Sequence, residues 1–432
     1  MEIKNPNLLE NIIYIDSVCH VHGVGFFLEG WTIPLNGAVP SVSIYLDDTF
    51  KTADASNYFW TWRDDVFEHF LKKEIYLPLD ATPGFIAFFP YSGRYEYDRL
   101  YYSISVGGNI LPGSCHISKN EYSSYILSLF DKFDIEKIDN KFTERFSVFA
   151  KNITSFIEKN LDHFVFQFGI SSKDSFNASF LIPCYPDLQL AELQLASFSR
   201  YMEKLSDIDI IYLLNSNFFD YEYAEYLSTV YNINFRVIYL GSNFGYSIAN
   251  NAGVVHALSD NLYFINSDVF INDYSVGAFV CENNIDNKSI TGIKLLYGDG
   301  TLQHAGLYLE KLQSINGHQF RSFLTGSHYS KGLYEDKLSH DNDDISMVTG
   351  AFLNCSKDVF SQVGKFRTDY VLGDYEDIDF CIRANRLGIP VRFRSDVSAY
   401  HFEGVSKRFL NSNFLKIQLY NRTLFNIFSD AE

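Results

Sequence analysis

The sequence contains no run of apolar residues that approaches the roughly 20 needed to span a bilayer. Its first twenty residues lack a basic region followed by an apolar core, so it predicts no signal peptide. It also has no basic amphipathic segment, which leaves open only a brief peripheral contact with a membrane surface. The expected protein is therefore soluble.

Positive charge is also scarce. The 35 Lys and Arg residues against 53 Asp and Glu give a formal net charge of −18, which argues against binding nucleic acid. Six cysteines are scattered without the spacing of a zinc motif or a disulfide framework. Such usage predicts a reduced, cytoplasmic setting, with the inner face of the cytoplasmic membrane left open as the place of action.

Apolar residues, by contrast, are plentiful at 47% of the 432 positions, enough for two domains with substantial cores. Short apolar or alternating runs occur in the first hundred residues, separated by Gly, Pro, Asn and Asp; examples are "SVSIYL", "GFIAFFP" and "LYYSISV". This spacing predicts an all-β accessory domain, sandwich-like, over residues 1–115.

Helical periodicity appears over residues 121–160, so we expect a helical connector at 116–176. From residue 180 onward, strands and helices alternate with short loops. Such repeats predict an α/β fold with a mostly parallel, Rossmann-like sheet and right-handed crossovers, over residues 177–432. The expected strands are 179–185, 208–215, 235–240 and 261–266, and the expected helices are 187–202, 221–231 and 245–258.

A polar triplet, Asn266-Ser267-Asp268, follows the fourth of these strands in "YFINSDVFIN". One interpretation is a turn, because all three residue types form turns. The other is a metal and phosphate site, because open α/β sheets bind ligands at the carboxyl ends of their strands. The position of the triplet favours the site.

Seven motifs occur in the order and spacing of bacterial family 2 glycosyltransferases: "FLIPCYPD", "NFGYSIANNAG", "INSDV", "DGTLQHAG", "VTGAF", "YEDIDFCIRANRLG" and "AYHFEGVS". The chain from residue 180 to its end resembles this family, and within it the rhamnosyltransferase-like branch. The resemblance implies the GT-A fold and an inverting transfer. Residues 1–115 resemble, more loosely, the β-domain that precedes such domains in some surface-polysaccharide enzymes.

The resemblance also implies a metal site. In that family a carboxylate holds a divalent cation, which neutralises the negative charge that develops on the departing diphosphate. Asp268 matches this ligand, Asn266 stands where many relatives have Asp, and His401 matches a second protein ligand. One imidazole with one carboxylate suits Mn²⁺ or Mg²⁺ and tilts the choice towards Mn²⁺.

An acidic cluster, Glu376-Asp377, precedes or begins a helix in "GDYEDIDFCIRANRLG". Acids at a helix start are common because they favour the helix dipole. An inverting transfer, however, needs a carboxylate that takes the proton from the acceptor hydroxyl. The resemblance implies that Asp377 is this base and that Glu376 shapes the acceptor side.

The nucleotide end of the donor is expected at the first two strands and at the glycine turn. The resemblance implies backbone contacts of Pro183 and Cys184 with the base. Asn215 and Asn217, at the end of the second strand, stand where relatives often have a carboxylate. The sequence therefore does not indicate which nucleotide base is bound. Gly245 permits close approach of the backbone, and Asn251 is suited to bond a ribose or a phosphate.

Three further residues match the same branch of the family. Gly350 leaves room for the donor sugar or the acceptor, although a tight strand turn would also require it. His304 and His318 are expected to line the acceptor cleft, and purely structural roles stay equally open for both.

The leading hypothesis is a metal-dependent inverting glycosyltransferase. Its donor would be a nucleotide-sugar, with UDP- or dTDP-sugars preferred, and its acceptor a glycan or lipid-linked glycan of a bacterial capsule or O-antigen. The alternative is a carbohydrate-binding or scaffold protein with a non-catalytic GT-A domain. A nucleotidyltransferase ranks last because the phosphate loop is missing. The role of the β-domain and a homo-oligomeric state stay open.

Overall fold

The structure is a computed structural model. It describes residues 13–32, 41–72, 82–106, 109–169, 173, 175–281, 288–313, 322–335, 345–404 and 414–431. The chain divides into a first compact unit, Met1–Ile126 with Lys141–Leu161, and a second, Leu127–Asn140 with Asp162–Glu432. No described helix is both long enough and apolar enough to cross a membrane.

The first unit is built on eight described strands that are hydrogen-bonded in the order β4-β3-β7-β8-β1-β2-β6-β5. They are β1 (Ile13–Val21), β2 (Gly25–Thr32), β3 (Ser41–Leu46), β4 (Thr49–Thr52), β5 (Tyr58–Thr61), β6 (Gly84–Pro90), β7 (Arg99–Val106) and β8 (Asn109–Asn120). The helices that belong wholly or partly to this unit are α1 (Asp64–Leu71), α2 (Tyr122–Asp131) and α3 (Asn140–Asn160).

Alternation of apolar and polar residues explains the strands of this unit. In β3 the burial pattern alternates along "SVSIYL", so Val42, Ile44 and Leu46 are buried while their neighbours are not. These residues share one core with Phe26 of β2 and Phe85 of β6, at the other end of the strand order. Strands from both halves of the sheet therefore enclose a common core.

The second unit contains the remaining elements, and its helices and strands alternate as the sequence predicts. The strands are β9 (Phe164–Phe168), β10 (Ala178–Cys184), β11 (Ile208–Leu214), β12 (Phe235–Tyr239), β13 (Asn261–Ile265), β14 (Val269–Ile271), β15 (Ile290–Leu296), β16 (Leu302–His304), β17 (Leu307–Gln313), β18 (Ser322–His328), β19 (Phe352–Ser356) and β20 (Val391–His401). The helices are α4 (Gln189–Tyr201), α5 (Tyr221–Tyr231), α6 (Tyr246–His256), α7 (Ser275–Cys281), α8 (Lys357–Val363), α9 (Glu376–Arg386) and α10 (Phe414–Ala431).

The main sheet of this unit runs in the order β14-β20-β15-β19-β13-β10-β11-β12-β9. Its centre, β13-β10-β11-β12, is parallel. All seven residues of β11, "IDIIYLL", are buried, as expected for a parallel strand that is covered on both faces. The predicted α/β class is confirmed, but the described sheet is mixed and not mostly parallel, because β9, β14, β16 and β19 pair antiparallel with their neighbours. The GT-A assignment and the arrangement of the β-domain remain predictions.

Strand β9 was not predicted, because the sequence from 161 to 176 was interpreted as the end of a connector and a linker. Its five residues pair antiparallel with β12 at the edge of the sheet. Four of the five are exposed or only partly buried, so the segment lacks the buried apolar run by which its neighbours are found.

Pairing at the other side of the sheet brings distant parts of the chain together. Strand β14 runs antiparallel to β20, with Val269 opposite His401. The backbone N–H of Phe402 donates to the carbonyl oxygen of Asp268 at 3.0 Å. The end of β20 therefore lies beside the polar triplet that follows β13.

A buried ion pair joins β11 to β12. The guanidinium of Arg236 donates from Nε and Nη2 to the carboxylate of Asp209 at 2.7 to 3.0 Å. Asp209 also accepts from the hydroxyl of Ser179 and from the backbone N–H of Leu258. The Asp209 side chain is only 3% exposed, so removal of its cation would leave a charge with little access to water.

We expect Arg236→Leu to lower the free energy of unfolding by about 3 kcal/mol, because it leaves Asp209 buried without its cation. Arg394→Leu is the matched control, since its partner Asp396 is 63% exposed and is not left as a buried charge, so the pair contributes at most about 1 kcal/mol. Chemical denaturation followed by fluorescence measures both. Equal losses of unfolding free energy in the two variants would contradict the stabilising role given to Arg236 beside the buried Asp209.

Candidate functional site

A cavity of about 430 Å³ lies where β10, β11 and β13 end. Its position is the carboxyl edge of the parallel strands, where ligand sites of such sheets occur. Eleven of the fourteen residues predicted for the site line it: Pro183, Cys184, Asn215, Gly245, Asn266, Ser267, Asp268, Gly350, Glu376, Asp377 and His401.

The two predicted metal ligands meet in this cavity. His401 Nε2 lies 3.3 Å from Asp268 Oδ1, and both side chains are buried. The pairing of β14 with β20 causes this proximity, since the two residues are 133 positions apart in the sequence. The family resemblance predicts that these two side chains share one cation, but the strand pairing that brings them together could not be read from the sequence pattern.

A third side chain holds the imidazole of His401. Gln303 Oε1, on β16, is 3.1 Å from His401 Nδ1, and both residues are buried. Because the amide oxygen accepts, His401 Nδ1 donates to Gln303, and Nε2 is the ring nitrogen that faces Asp268. Ligating histidines are typically fixed in this way through their second ring nitrogen.

These donors fit a divalent cation that takes its other ligands from elsewhere. One carboxylate oxygen and one imidazole nitrogen suit Mn²⁺ or Mg²⁺. Among the described residues, no group of three or more His, Cys, Asp and Glu side chains could hold a metal ion alone. Oxygens of a bound molecule or of water would therefore have to complete the coordination.

Two carboxylates enter the cavity at the start of α9. Asp377 Oδ2 accepts from the backbone N–H of Gly350 at 2.7 Å, and Oδ1 accepts from that of Ile378 at 2.8 Å. Glu376 Oε2 accepts from the backbone N–H of Asp374 at 2.6 Å. The carboxylates are thus held by the backbone, and no Lys or Arg side chain is hydrogen-bonded to either in the described chain.

Burial makes these two acids unusually basic. Burial, with the neighbouring charge of Asp377 as the second cause, raises the pKa of Glu376 to about 8. Burial also raises the pKa of Asp377, against the opposing effect of the hydrogen bonds from Gly350 and Ile378. A carboxylate with a raised pKa in a cavity is suited to take a proton.

The loop before α9 has a strained backbone. Leu372, Gly373, Asp374 and Tyr375 all have positive φ, between 60° and 137°. Asn421 of α10 fixes this loop: its Oδ1 accepts from the N–H of Val371, and its Nδ2 donates to the carbonyls of Val371 and Gly373. Such strain persists where surrounding contacts impose it and is common at functional sites.

The turn before α6 is held against this loop. Asn215 Nδ2 donates to Asn243 Oδ1 and to the carbonyl of Gly245, so the Asn215 side chain is committed to the turn. Gly245 has φ of 87°, and a Cβ there would lie 2.6 Å from Cα of Leu372. Gly245 is therefore required both by its conformation and by the close approach of the loop.

We expect Gly245→Ala to lower activity by about 100-fold, because the added methyl would displace residue 372 and with it the start of α9. Gly241→Ala is the matched control, since Gly241 has φ of 78° but nothing within 4 Å of its Cβ position. Both variants carry backbone strain of about 1–2 kcal/mol. Thermal melting measures the effect of that strain on stability. The rate of turnover should fall in Gly245→Ala and not in Gly241→Ala.

Comparison with known proteins gives partial matches. No protein-family model matches the chain. The hexosyltransferase Agl10 of low-salt glycan biosynthesis in Haloferax volcanii is 26% identical over 194 residues, 43% of this chain and 57% of its own length. The O-antigen biosynthesis protein RfbC of Myxococcus xanthus is 27% identical over 169 residues, 38% of this chain and 12% of its own. Protein y4gI of Sinorhizobium fredii is 28% identical over 173 residues, which are 40% of this chain and 18% of that protein.

Two of these three relatives, Agl10 and RfbC, are named for glycan or O-antigen biosynthesis. The matched segments span 12% to 57% of the length of these relatives. Among solved structures, GalNAc-T7 with UDP, GalNAc and Mn²⁺ is 14% identical over 52% of this chain and 42% of its own, with a TM-score of 0.37. The Pyrobaculum calidifontis mannosyltransferase with GDP-Man and Mn²⁺ is 11% identical over 69% of this chain and 76% of its own, also with a TM-score of 0.37. TM-scores at this level do not establish a shared fold.

Three predicted residues do not line the cavity. Asn217 is exposed. The Asn251 amide exchanges two hydrogen bonds with the backbone of Phe366, which explains its burial without a ligand. His304 is fully buried behind His328. His318 lies outside the described residues.

Several lining or supporting residues were not found from the sequence. Gln303 and His328 line the cavity, and Asn421 supports it from α10. Gln303 belongs to the motif "DGTLQHAG", so its position next to His304 was a usable signal. His328 and Asn421 lie in segments without any motif.

Proposed function

We propose that the chain is an inverting glycosyltransferase that moves a sugar from a nucleotide-sugar to a hydroxyl of a glycan acceptor. The observation that carries this proposal is the convergence of Asp268, Asp377 and His401 on one cavity. These are the groups that the reaction needs: a base for the acceptor and donors for a cation at the diphosphate.

The proposed transfer is a single displacement. The acceptor oxygen forms a bond to the anomeric carbon while the bond from that carbon to the diphosphate breaks. The proton of the acceptor hydroxyl passes to the carboxylate of Asp377, which the backbone of Gly350 and Ile378 holds in place. Glu376, buried beside it, shapes the acceptor side.

Asp268 and His401 would hold a divalent cation, Mn²⁺ or Mg²⁺, at the diphosphate end. The cation, when bound, supplies positive charge to the departing nucleoside diphosphate. Gln303 keeps His401 Nε2 available for this purpose. Pro183 and Cys184, which line the cavity at the end of β10, would flank the nucleotide base.

The relatives support the class of substrate. Agl10 is named a hexosyltransferase of glycan biosynthesis, and RfbC a protein of O-antigen biosynthesis. We therefore propose a hexose donor and a surface-glycan acceptor. The nucleotide stays open, because Asn215 is committed to the turn before α6 and Asn217 is exposed.

A non-catalytic glycan-binding protein is the second candidate, favoured by the single carboxylate of the triplet at 266–268. Release of nucleoside diphosphate from a panel of UDP-, dTDP- and GDP-sugars, with and without Mn²⁺, tests the two. Turnover of at least one donor that depends on the metal supports the transferase. Glycan binding without nucleotide binding or turnover would support the second candidate instead.

A further inference from the structure

Two histidines meet at the edge of the cavity. His304 ends β16 and His328 ends β18, and their Nδ1 atoms are 3.0 Å apart. The rings are nearly perpendicular, with centroids 5.1 Å apart. His304 is fully buried, whereas His328 is partly exposed and lines the cavity.

The surroundings of His304 determine where its proton lies. Its Nε2 faces two backbone N–H groups, those of Gly306 at 3.3 Å and Thr349 at 3.4 Å. A backbone N–H only donates, so this nitrogen must be the acceptor and carry no hydrogen. A neutral His304 therefore has its proton on Nδ1.

That arrangement determines the tautomer of His328 in turn. His304 Nδ1–H donates to Nδ1 of His328, which must then be unprotonated. A neutral His328 consequently carries its hydrogen on Nε2, at the opposite side of the ring. Burial, with the positive charge of Lys331 as a further cause, lowers the pKa of His328 to about 4, so the ring is neutral at physiological pH.

The Nε2–H group of His328 has no hydrogen-bond partner in the described parts of the chain. The cavity around it contains five carboxylates, from Asp268, Asp374, Glu376, Asp377 and Glu403. Arg422 is the one Lys or Arg among its described lining residues. A neutral donor with a fixed orientation can bind an uncharged or charged oxygen without adding charge to the site.

We propose that His328 is a substrate-binding residue whose Nε2–H donates a hydrogen bond to an oxygen of the bound nucleotide-sugar, and that His304 is the positioning residue that sets its tautomer. This inference rests on the proposed function, since it takes the donor to occupy the cavity. The oxygen belongs to the diphosphate or to a hydroxyl of the sugar, both of which accept hydrogen bonds.

Calorimetric titration with Mn²⁺ present, using UDP, GDP and the donor found by the panel, tests the contact. We expect His328→Phe to weaken binding about tenfold, the effect of one hydrogen bond in a partly buried site. His328→Gln should retain most of the affinity, because its amide still offers an N–H. Equal affinity of wild type and His328→Phe for the donor overturns the proposal.

The probes separate the two sources of the oxygen. A loss that already appears with the nucleoside diphosphate alone assigns the contact to the diphosphate. A loss that appears only with the nucleotide-sugar assigns it to the sugar. A change confined to the KM of the acceptor would overturn the assignment to the donor.

The role of His304 has its own readout. Long-range ¹H–¹⁵N correlation spectra of histidine-labelled protein should show His328 in the Nε2–H form, and His304→Phe should abolish this preference. His328 in the Nδ1–H form would contradict the inference even if His328→Phe fails to fold. His163→Phe is the matched control, since His163 pairs with His256 at 3.1 Å and lies outside the cavity lining.

The outcomes also distinguish this inference from the proposed function. Wild-type protein that binds no nucleotide and turns over no donor would contradict both the proposed function and the role of His328. If the wild-type protein turns over a donor and His328→Phe binds that donor equally well, only the role of His328 is contradicted.

Discussion

Asp377→Asn is expected to lower the rate of sugar transfer by about 1000-fold while leaving donor affinity within a few-fold of wild type. An amide has the shape of the carboxylate, and its oxygen still accepts from the N–H of Gly350 while the bond from Ile378 is lost, so the start of α9 should largely keep its position. It cannot accept the proton of the acceptor hydroxyl, so the transition state loses its general base.

Initial rates of transfer and calorimetric binding of the donor, measured side by side, check this expectation. Glu376→Gln is the matched control, because this neighbouring acid also lines the cavity and is also hydrogen-bonded to backbone. It should reduce the rate far less. Near wild-type transfer by Asp377→Asn would remove this residue from the mechanism, and a collapse in Glu376→Gln alone would transfer the role to Glu376.

The same assignment fixes the direction of the pH dependence. A base works only when deprotonated, and burial raises the pKa of Asp377 above its ordinary 3.8. The rate should therefore rise with pH through that raised pKa, so the acid limb of the profile lies above the ordinary pKa of an aspartate. Glu376, whose pKa is raised to about 8, stays largely protonated at neutral pH and adds little negative charge beside the base.

The alternating elements of the second unit could be predicted because their signals are local. β10, β11, β12 and β13 are short apolar runs, and the helices between them have periodic apolar faces. The residue that ends each strand could then be assigned to one edge of the sheet. Strand β9 escaped prediction because its pairing partner β12, and not its own burial, makes it a strand.

The site could be predicted only where a motif carries its chemistry. Asp268, Asp377 and His401 were found because they lie in recognisable motifs, although the proximity of Asp268 to His401 depends on the pairing of β14 with β20. Asn421 and His328 could not be found in this way. Their roles arise from contacts with backbone or with another ring, made by elements far away in the sequence.

Asp268→Asn is expected to weaken Mn²⁺ binding in the presence of nucleoside diphosphate by about 100-fold or more. The triplet has a single carboxylate, since Asn occupies position 266 and Ser 267. The whole anionic contribution of the triplet to a cation therefore rests on Asp268, which faces His401 Nε2 at 3.3 Å. An amide in its place keeps an oxygen but loses the charge that a divalent ion requires.

Electron paramagnetic resonance of free Mn²⁺, titrated with protein and UDP, measures the affinity without any turnover. Asn266→Asp is the informative counterpart, because it adds a carboxylate beside Asp268 at the lining of the same cavity. We expect it to tighten Mn²⁺ binding, and an Asn266→Asp/Asp268→Asn double variant should recover part of the loss. Unchanged Mn²⁺ affinity in Asp268→Asn would show that the cation, if it binds, is held elsewhere, and the diphosphate end of the cavity would need a different assignment.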